Sequence, residues 1–333
     1  MRHILSLLLL LLLIFLNLFW GSTDLPPAEI WQALCGTAPD DSAAYYIVHQ
    51  LRLPMTLTAL LAGSALAVAG LLMQTLFNNP LADPSILGVN AGASLGVGIA
   101  TLLLGSIGMG TVGNIAGFAL TTISAFSGAI LVIILLMGCA MLLKSNLMLL
   151  VAGVMISYAV GSMVTLLSYF SNTDSLRSYV SWGMGDFSSC PQEWLPWFAA
   201  LLLLGICLTL TLTKPLNALL LGETYAQNLG IRTAHLRWII LLLVGLLTAL
   251  CTALCGPIGF IGLAVPHIAR LVLRTADHHR LVPATLLWGA NIALFCNMLT
   301  LFPGDGIRLP INAITPLLGV PIAVYILMGK SKG

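Results

Sequence analysis

Charged residues are scarce in this chain of 333 residues: Asp, Glu, Lys and Arg make up 7% of it, whereas hydrophobic residues make up 59%. Soluble domains carry about 25% charged residues, so the composition excludes an ordinary soluble domain and indicates an integral membrane protein. The net charge of +2 disfavours the clustered basic face that nucleic-acid binding requires. No polar stretch approaches the roughly 100 residues of a soluble domain, so residues 1–333 are interpreted as one membrane domain.

Motifs for hydrolysis and for metal binding are lacking too. Neither His-Glu-x-x-His nor Gly-x-Ser-x-Gly occurs, so hydrolytic chemistry has no support. Cys251 and Cys255 share a helix face but have no His or carboxylate near them in sequence to complete a metal site. The sequence alone leaves two possibilities for Cys35 and Cys190: they form a disulfide outside the membrane, or both are free. The run 277–279 (Asp-His-His) lacks a third ligand at suitable spacing and is interpreted as a solvated turn.

Long apolar runs dominate what is present, and a spanning helix needs about 20 such residues. Residues 1–20 are interpreted as an uncleaved first span, because no small-x-small cleavage site follows Trp20. The window 238–269 is short for two spans, and the positive-inside rule decides between one crossing and two. Two crossings leave only Arg52, Arg177 and Arg308 of the thirteen basic residues outside. One crossing divides the basic residues almost evenly, so ten spans with both termini in the cytoplasm are predicted.

The predicted fold is an all-α integral membrane protein with ten transmembrane helices. The spans lie within residues 3–23, 53–82, 84–107, 115–143, 145–173, 194–213, 238–255, 260–269, 281–304 and 309–329. Spans two to five begin outside and spans seven to ten begin inside, which is compatible with two inverted units. No charge is left at mid-membrane. This disfavours a carrier driven by protons or sodium and favours energy supplied by another subunit.

Two breaks interrupt the apolar sequence. The first, at 78–84, is polar and carries two prolines and Asp83. In lipid its unpaired backbone groups would cost roughly a few kcal/mol each, so it must lie at a membrane face, against protein or along a wet cavity. The charge count places it on the cytoplasmic side, where Asp83 is interpreted as a capping or interface carboxylate. The second, at 256–259, precedes a short helix on which His267 is expected to hydrogen-bond another helix.

Residues 214–237 form the longest predicted cytoplasmic loop. Gly222 and Gly230 bracket about two helical turns, and a glycine beyond a helix end supplies the left-handed closing conformation. A short helix with few charges suits docking into a groove of a partner protein. The same segment also suits a loop that rests on lipid headgroups, and the residues alone leave both interpretations open.

Three groups of residues stand in a fixed order along the chain and match known signatures. Those around the first break are Gln74, Asn79, Pro80, Asp83, Pro84 and Gly88. Those around the second break are Gly259, Gly262, Pro266, His267 and Arg270. Those of the loop are Leu221, Gly222, Glu223, Ala226, Leu229 and Gly230. The chain therefore resembles the FecCD permeases, the membrane subunits of type II ABC importers for iron-siderophores, haem and cobalamin.

The resemblance implies a dimer of ten-span permease subunits in the bacterial cytoplasmic (inner) membrane, with two ATPase subunits below and a substrate-binding protein above. It implies that the loop residues couple to the ATPase and that Arg52 and Arg308 contact the binding protein. Met55 stands where many relatives have arginine, so docking is expected to rest on fewer ion pairs. It also implies an inner gate at Lys144, Ser145 and Asn146.

Spans five and ten and a short outer helix near 175–182 would line the transport path in such a complex. ATP and Mg²⁺ would belong to the ATPase, so this subunit is expected to be no enzyme and to hold no cofactor or metal. The second permease subunit is either a copy of this chain or a related one. The rival hypothesis is a stand-alone secondary carrier driven by an ion gradient, which mid-membrane carboxylates would favour.

Overall fold

The computed structural model describes residues 2–39, 41–105, 115–143, 145–302 and 308–330, which form helices and no strand. The α-helices are α1 (Arg2–Phe19), α2 (Pro27–Leu34), α3 (Ala43–Tyr46), α4 (Leu53–Leu76), α5 (Val89–Gly98), α6 (Ile115–Leu142), α7 (Asn146–Phe170), α8 (Thr173–Gly183), α9 (Leu195–Thr211), α10 (Thr213–Leu220), α11 (Glu223–Asn228), α12 (Thr233–Cys255), α13 (Ile261–Leu273), α14 (His278–Leu299) and α15 (Ile311–Lys330). A π turn, Ile47–Arg52, joins α3 to α4, and 3₁₀ turns occupy Pro84–Leu87 and Phe187–Ser189.

Each of the ten predicted windows contains an apolar helix. Five segments of the described chain are long and apolar enough to cross a membrane alone: Ala43–Leu76, Gly117–Leu142, Asn146–Phe170, Thr233–Cys255 and His278–Leu299. α9 and α10 qualify as a sixth when taken together, with a bend of 55° between them. Shorter apolar helices fill the other windows: Ile4–Phe19, Val89–Leu104, Ile261–Leu273 and Ile311–Ile322. The all-helical membrane architecture is confirmed, whereas the number of crossings stays a prediction.

α4 lies at the centre of the bundle, where it packs against α12, α13 and α14. Glycines allow the close crossings: a Cβ on Gly63 would lie 2.5 Å from the carbonyl oxygen of Gly289, and one on Gly70 would lie 1.9 Å from that of Gly262. α5 and α6 cross in the same way at Gly92. Lipid tails are as apolar as leucine, so helices in a membrane associate through such close packing rather than through the hydrophobic effect.

The two predicted units pack in corresponding ways. In the first unit α5 packs on α6 and contacts α7, and in the second unit α13 packs on α14 and contacts α15. Between the units, α4 packs on α14 and α12 packs on α6. Each contact maps onto its counterpart when α4–α7 are matched with α12–α15. This correspondence supports the repeat that the charge pattern only allowed.

The first short helix of each unit begins in the same way. Gly88, which follows Pro84, immediately precedes α5 with φ 80°, and Phe260, which follows Pro257, immediately precedes α13 with φ 69°. A left-handed residue reverses the chain direction between a broken helix and the next one. Phenylalanine adopts this conformation at a cost of about 1 kcal/mol or more, so the surrounding contacts must hold it there.

An asparagine near the start of the last helix of each unit holds that break. Asn146 Nδ2 donates to the carbonyl of Leu76 (3.0 Å), and Asn312 Nδ2 donates to that of Pro257 (2.5 Å). In both helices a glycine lies seven residues further on and packs against the residue at or just before the left-handed position. Residues 146–154 and 312–320 thus share the pattern Asn-x6-Gly-Val, a sequence signal of the repeat.

Candidate coupling site

The predicted cytoplasmic loop folds into the short helices α10 and α11. Gly222 (φ 109°) and Gly230 (φ 82°) bracket α11 with backbone conformations that favour glycine, so this part of the prediction is confirmed. Three apolar side chains spaced four residues apart form an exposed stripe: Leu221, Tyr225 and Leu229 expose 66%, 48% and 59% of their surface. An exposed apolar stripe on a short, anchored helix suits contact with another protein.

Arg237 in the first turns of α12 connects α11 to the end of α6. Its Nη2 lies 3.6 Å from Glu223 Oε1, and its Nη1 donates to the carbonyl of Leu143 (3.3 Å). Gln227 on α11 also donates to the hydroxyl of Thr233 (3.0 Å), while Ala226 is fully buried. Arg237 therefore links α11 to residue 143, which immediately precedes the predicted gate.

α10 is anchored through Asn217 to the start of α14. Asn217 Oδ1 accepts from the backbone N–H of His278 and lies 2.8 Å from its ring Nδ1, while Nδ2 donates to Asp277 (2.6 Å). His278 Nε2 lies 2.8 Å from Thr75 Oγ1 on α4. His278 is 0% exposed, so the interpretation of 277–279 as a solvated turn is wrong for this residue. The Asn217 amide and the backbone N–H of His279 lower the pKa of Asp277.

The two predicted signatures meet where α13 crosses α4. Gln74 Nε2 donates to the carbonyl of Leu263 (3.1 Å), and its Oε1 accepts from Arg270 Nη1 (2.5 Å). His267 Nε2 lies 2.6 Å from the carbonyl of Pro80, which belongs to the break after α4, so this hydrogen bond joins α13 to that break rather than to another helix. Gln74, His267 and most of α13 around Pro266 are buried, so these residues join two helices rather than line an open path.

Asp83 fixes the break that links these helices. Its Oδ1 accepts from the backbone N–H (2.9 Å) and the hydroxyl (2.5 Å) of Ser85 and so begins the 3₁₀ turn. Its carboxylate also accepts from the backbone N–H of Leu263, and Gly262 leaves no space for a Cβ beside it. Asn79 closes the preceding turn through the backbone N–H of Leu81. The interpretation of Asp83 as a capping and interface carboxylate is confirmed.

Two of the three residues of the predicted inner gate, Ser145 and Asn146, are among the described residues. Lys144 lies outside the described residues. Ser145 is the N-cap position of α7 and is exposed, whereas Asn146 binds the end of α4 as described above. Asn146 therefore has a defined structural role, and the gating role of all three residues stays a prediction.

The docking prediction needs a correction at Arg52. This side chain is 3% exposed and donates to the carbonyls of Leu18 (2.9 Å), Phe19 (3.0 Å) and Thr23 (2.6 Å). It satisfies the carbonyls at the C-terminal end of α1 and is not the exposed cation that docking requires. Arg308 is half-buried, and its Nη1 lies 2.9 Å from Met55 Sδ. Its docking role stays a prediction.

The cysteines form no disulfide in the structure. All seven are free thiols; Cys35 is exposed and Cys190 is buried. The disulfide between them is therefore not formed. Cys251 and Cys255 are both buried in α12 and serve as small apolar core residues.

Sequence reasoning missed the residues that connect the coupling helices to the bundle, chiefly Asn217, Arg237 and Thr75. Asn217 and Arg237 stand in a loop in which most other polar residues are exposed, and nothing local distinguishes them. The only usable signal is the proximity of Arg237 to an apolar run, because a buried cation at such a place needs a partner.

These features define a class. Apolar helices throughout, helix crossings built on glycine and a short exposed helix tied to a buried network indicate a membrane transport subunit that works with partners. The profile of the FecCD transport family matches residues 9–329, and the chain belongs to that family.

Individual relatives agree along the whole length. The vitamin B12 import system permease protein BtuC of Klebsiella pneumoniae is 36% identical over 98% of this chain and 92% of the relative. That of Salmonella paratyphi A is 37% identical over 99% of this chain and 96% of the relative. A solved ABC transporter of the metal-chelate type, in an inward-facing conformation, superposes with a TM-score of 0.84 and 32% identity over 97% of each chain.

Proposed function

We infer that this chain, the permease subunit of an ATP-binding-cassette importer, moves a bulky chelate through a path that it shares with a second permease subunit. Of two ATPase subunits, one would bind the exposed stripe on α11 of each permease subunit. This stripe is the observation that carries the proposal. A substrate-binding protein would dock at the opposite end. Ten crossings in two inverted units, with both termini in the cytoplasm of a bacterial inner membrane, complete the proposed topology.

The contacts of α10 and α11 suggest how ATP-driven closure reaches the path. Movement of α11 pulls on the end of α6 through Arg237, while movement of α10 pulls on α14 and α4 through Asn217 and His278. The predicted gate at 144–146 follows residue 143, the end point of the first connection, directly in sequence. The permease then alternates between outward and inward access, while ATP and Mg²⁺ remain on the partner subunits.

The proposed path follows α7, α15 and α8. Only 17% of the most apolar window of α7 is buried within the chain, so this helix has surface for both a second subunit and the path. Its exposed side chains include Met155, Met163 and Tyr158, which form a weakly polar wall. Such a wall suits cargo that the delivering protein, not the permease, binds tightly.

The named relatives support a proposal for the chemical class of the cargo. Two of them import vitamin B12, and the solved structure belongs to the metal-chelate type. We propose a cobalamin-like chelate first, and an iron-siderophore or haem next. Tight binding of cyanocobalamin, but not of a ferric siderophore or haem, by the partner binding protein is the expected result; the reverse preference would reassign the cargo.

Charge placed on the stripe tests the proposed coupling. Replacing Leu221 and Leu229 together with glutamate should abolish co-purification of the ATPase, because two carboxylates would lose their hydration in an apolar interface. Both positions are exposed, so membrane insertion and thermal stability should not change. Deletion of residues 219–231 should have the same effect on association. Trp31→Glu, at an exposed position of α2, is the matched control.

Retention of the ATPase by the double variant would contradict the coupling assignment. Uptake into proteoliposomes without any ATPase, driven by an ion gradient, would instead establish the secondary carrier.

Arg237→Gln should uncouple the ATPase from transport without dissociating it. The lost ion pair is worth little stability, about 1 kcal/mol or less, because Glu223 is 47% exposed. The connection from α11 to the end of α6 is lost, so we expect cargo uptake per ATP hydrolysed to fall roughly fivefold or more. Arg232→Gln changes an exposed arginine of the same loop and should leave this ratio unchanged. An unchanged ratio in Arg237→Gln would exclude the connection.

A further inference from the structure

A polar chamber lies between α8, the segment Ile99–Leu104 that follows α5, and the adjoining ends of α6 and α12, at the predicted outer end of the bundle. Its volume is ≈ 490 Å³. The polar side chains that line it include Thr121, Arg177, Ser178, Ser181, Asp186 and Ser189. The chamber therefore contains one basic and one acidic side chain.

These two charges do not neutralise each other. Within the described residues, neither Arg177 nor Asp186 forms an ion pair with any side chain. Asp186 accepts from the backbone N–H and the hydroxyl of Ser188, and a carboxylate has about four acceptor sites, so sites remain for a further donor. A cation and an anion that share a chamber without pairing complement a ligand that carries both charges.

The chamber continues into an apolar groove of ≈ 240 Å³ between α6, α9 and α12. The groove is lined mainly by Phe126, Trp194, Trp197, Phe198, Leu201 and Leu250. Thr122, Ala253 and Leu254 line both spaces, so the two meet at these residues. Tryptophan is the residue favoured at membrane interfaces, which places the groove at the level of the outer leaflet.

Thr122 supplies an independent sign of a ligand. The residue is 6% exposed, and its Oγ1 has no hydrogen-bond partner in the part of the chain that the structure describes. A buried hydroxyl without a partner is unfavourable, because no hydrogen bond compensates for its lost hydration. Thr122 stands where the polar chamber passes into the apolar groove, so rotation of its buried hydroxyl toward the cleft would let an oxygen of a bound amphiphile accept its hydrogen bond.

We propose that the cleft binds one phospholipid with a phosphoethanolamine headgroup. The phosphate contacts Arg177, the ammonium contacts Asp186, an ester oxygen accepts from Thr122, and one acyl chain occupies the groove. A water-soluble chelate would fill the chamber and leave the groove empty, whereas a phospholipid matches both. The lipid would brace α8 against α6 and α12, and the proposal does not depend on which cargo is carried.

Native mass spectrometry of the full-length protein in mild detergent tests this assignment. The protein is titrated with phosphatidylethanolamine, phosphatidylcholine and phosphatidylglycerol that carry the same acyl chains. One phosphatidylethanolamine per chain should bind, at least about tenfold more tightly than phosphatidylglycerol, which lacks the ammonium. Phosphatidylcholine, whose ammonium cannot donate a hydrogen bond, should also bind more weakly.

Two variants test the two halves of the cleft. Arg177→Gln removes the phosphate contact, and Ser127→Phe fills the groove from an exposed position; each should weaken phosphatidylethanolamine binding about tenfold. Asp174→Asn, on the same helix but outside the chamber, and Ile134→Phe, two turns along α6, should bind normally. Equal binding of all three lipids, equal binding by all variants, or displacement of the lipid by cyanocobalamin would overturn the proposal.

Discussion

Replacing Gly70 with alanine is expected to destabilise the protein by about 3 kcal/mol or more. A Cβ at this position would lie 1.9 Å from the carbonyl oxygen of Gly262 and 2.4 Å from its carbonyl carbon. Both atoms belong to the backbone of α13, so no side-chain rotation can relieve the clash and the two helices must separate. The midpoint of thermal unfolding in detergent, followed by size-exclusion chromatography, should fall by several degrees.

Separation of α4 and α13 also breaks the hydrogen bonds that join the two signatures. Gly262→Ala should be destabilising as well, because a Cβ there would lie 2.9 Å from Pro84 Cδ and 3.1 Å from the carbonyl oxygen of Leu66 on α4. A displacement of α13 away from α4 also relieves the contact with Leu66, so the double variant should lose less stability than the sum of the two. Gly138→Ala and Gly161→Ala are matched controls, because nothing lies within 4 Å of a Cβ at either position. Helical glycine costs about 0.5–1 kcal/mol relative to alanine, so the controls should be neutral or stabilising. A Gly70→Ala protein as stable as the controls would refute this assignment.

Local sequence determined the helices and the places where they stop. Runs of apolar residues predicted the helical windows, and the polar or glycine-rich breaks at 78–84 and 256–259 end α4 and α12 as expected. Gly222 and Gly230 predicted the bounds of α11 because a left-handed residue after a helix is a local property of the backbone. These features need no knowledge of which helices become neighbours.

The partners of polar residues could not be predicted in this way. An arginine at the start of a span can face a partner protein or cap a nearby helix, and its sequence surroundings are the same in both cases. Arg52 caps α1, about 30 residues earlier, and His278 meets Thr75, 203 residues away. Such contacts depend on which helices cross, and the glycine pairs that set the crossings are recognisable only once the helices are paired.

Gln74→Leu is expected to cost about 3 kcal/mol, although leucine is similar in size and favours a helix. The variant removes the acceptor of Arg270 Nη1 and the donor to the carbonyl of Leu263, and it leaves a half-buried guanidinium with one partner fewer. Gln74→Glu should be less destabilising, because a carboxylate keeps the acceptor for Arg270 while it loses the donor. Gln32→Leu, on the exposed face of α2, should change the unfolding midpoint little.

Combining Gln74→Leu with Arg270→Met distinguishes the cost of the lost hydrogen bonds from the cost of a guanidinium left without its acceptor. If the cost of the single variant comes from the guanidinium left without its acceptor, removing the charge too should recover at least about 1 kcal/mol relative to the sum of the single variants. Additive losses would show instead that Gln74 acts only through the carbonyls of α13. The first result would explain the joint presence of Gln74 and Arg270 in the two signatures: each residue makes the other tolerable inside a membrane helix bundle, and together they fix the short helix α13 against the break that follows α4.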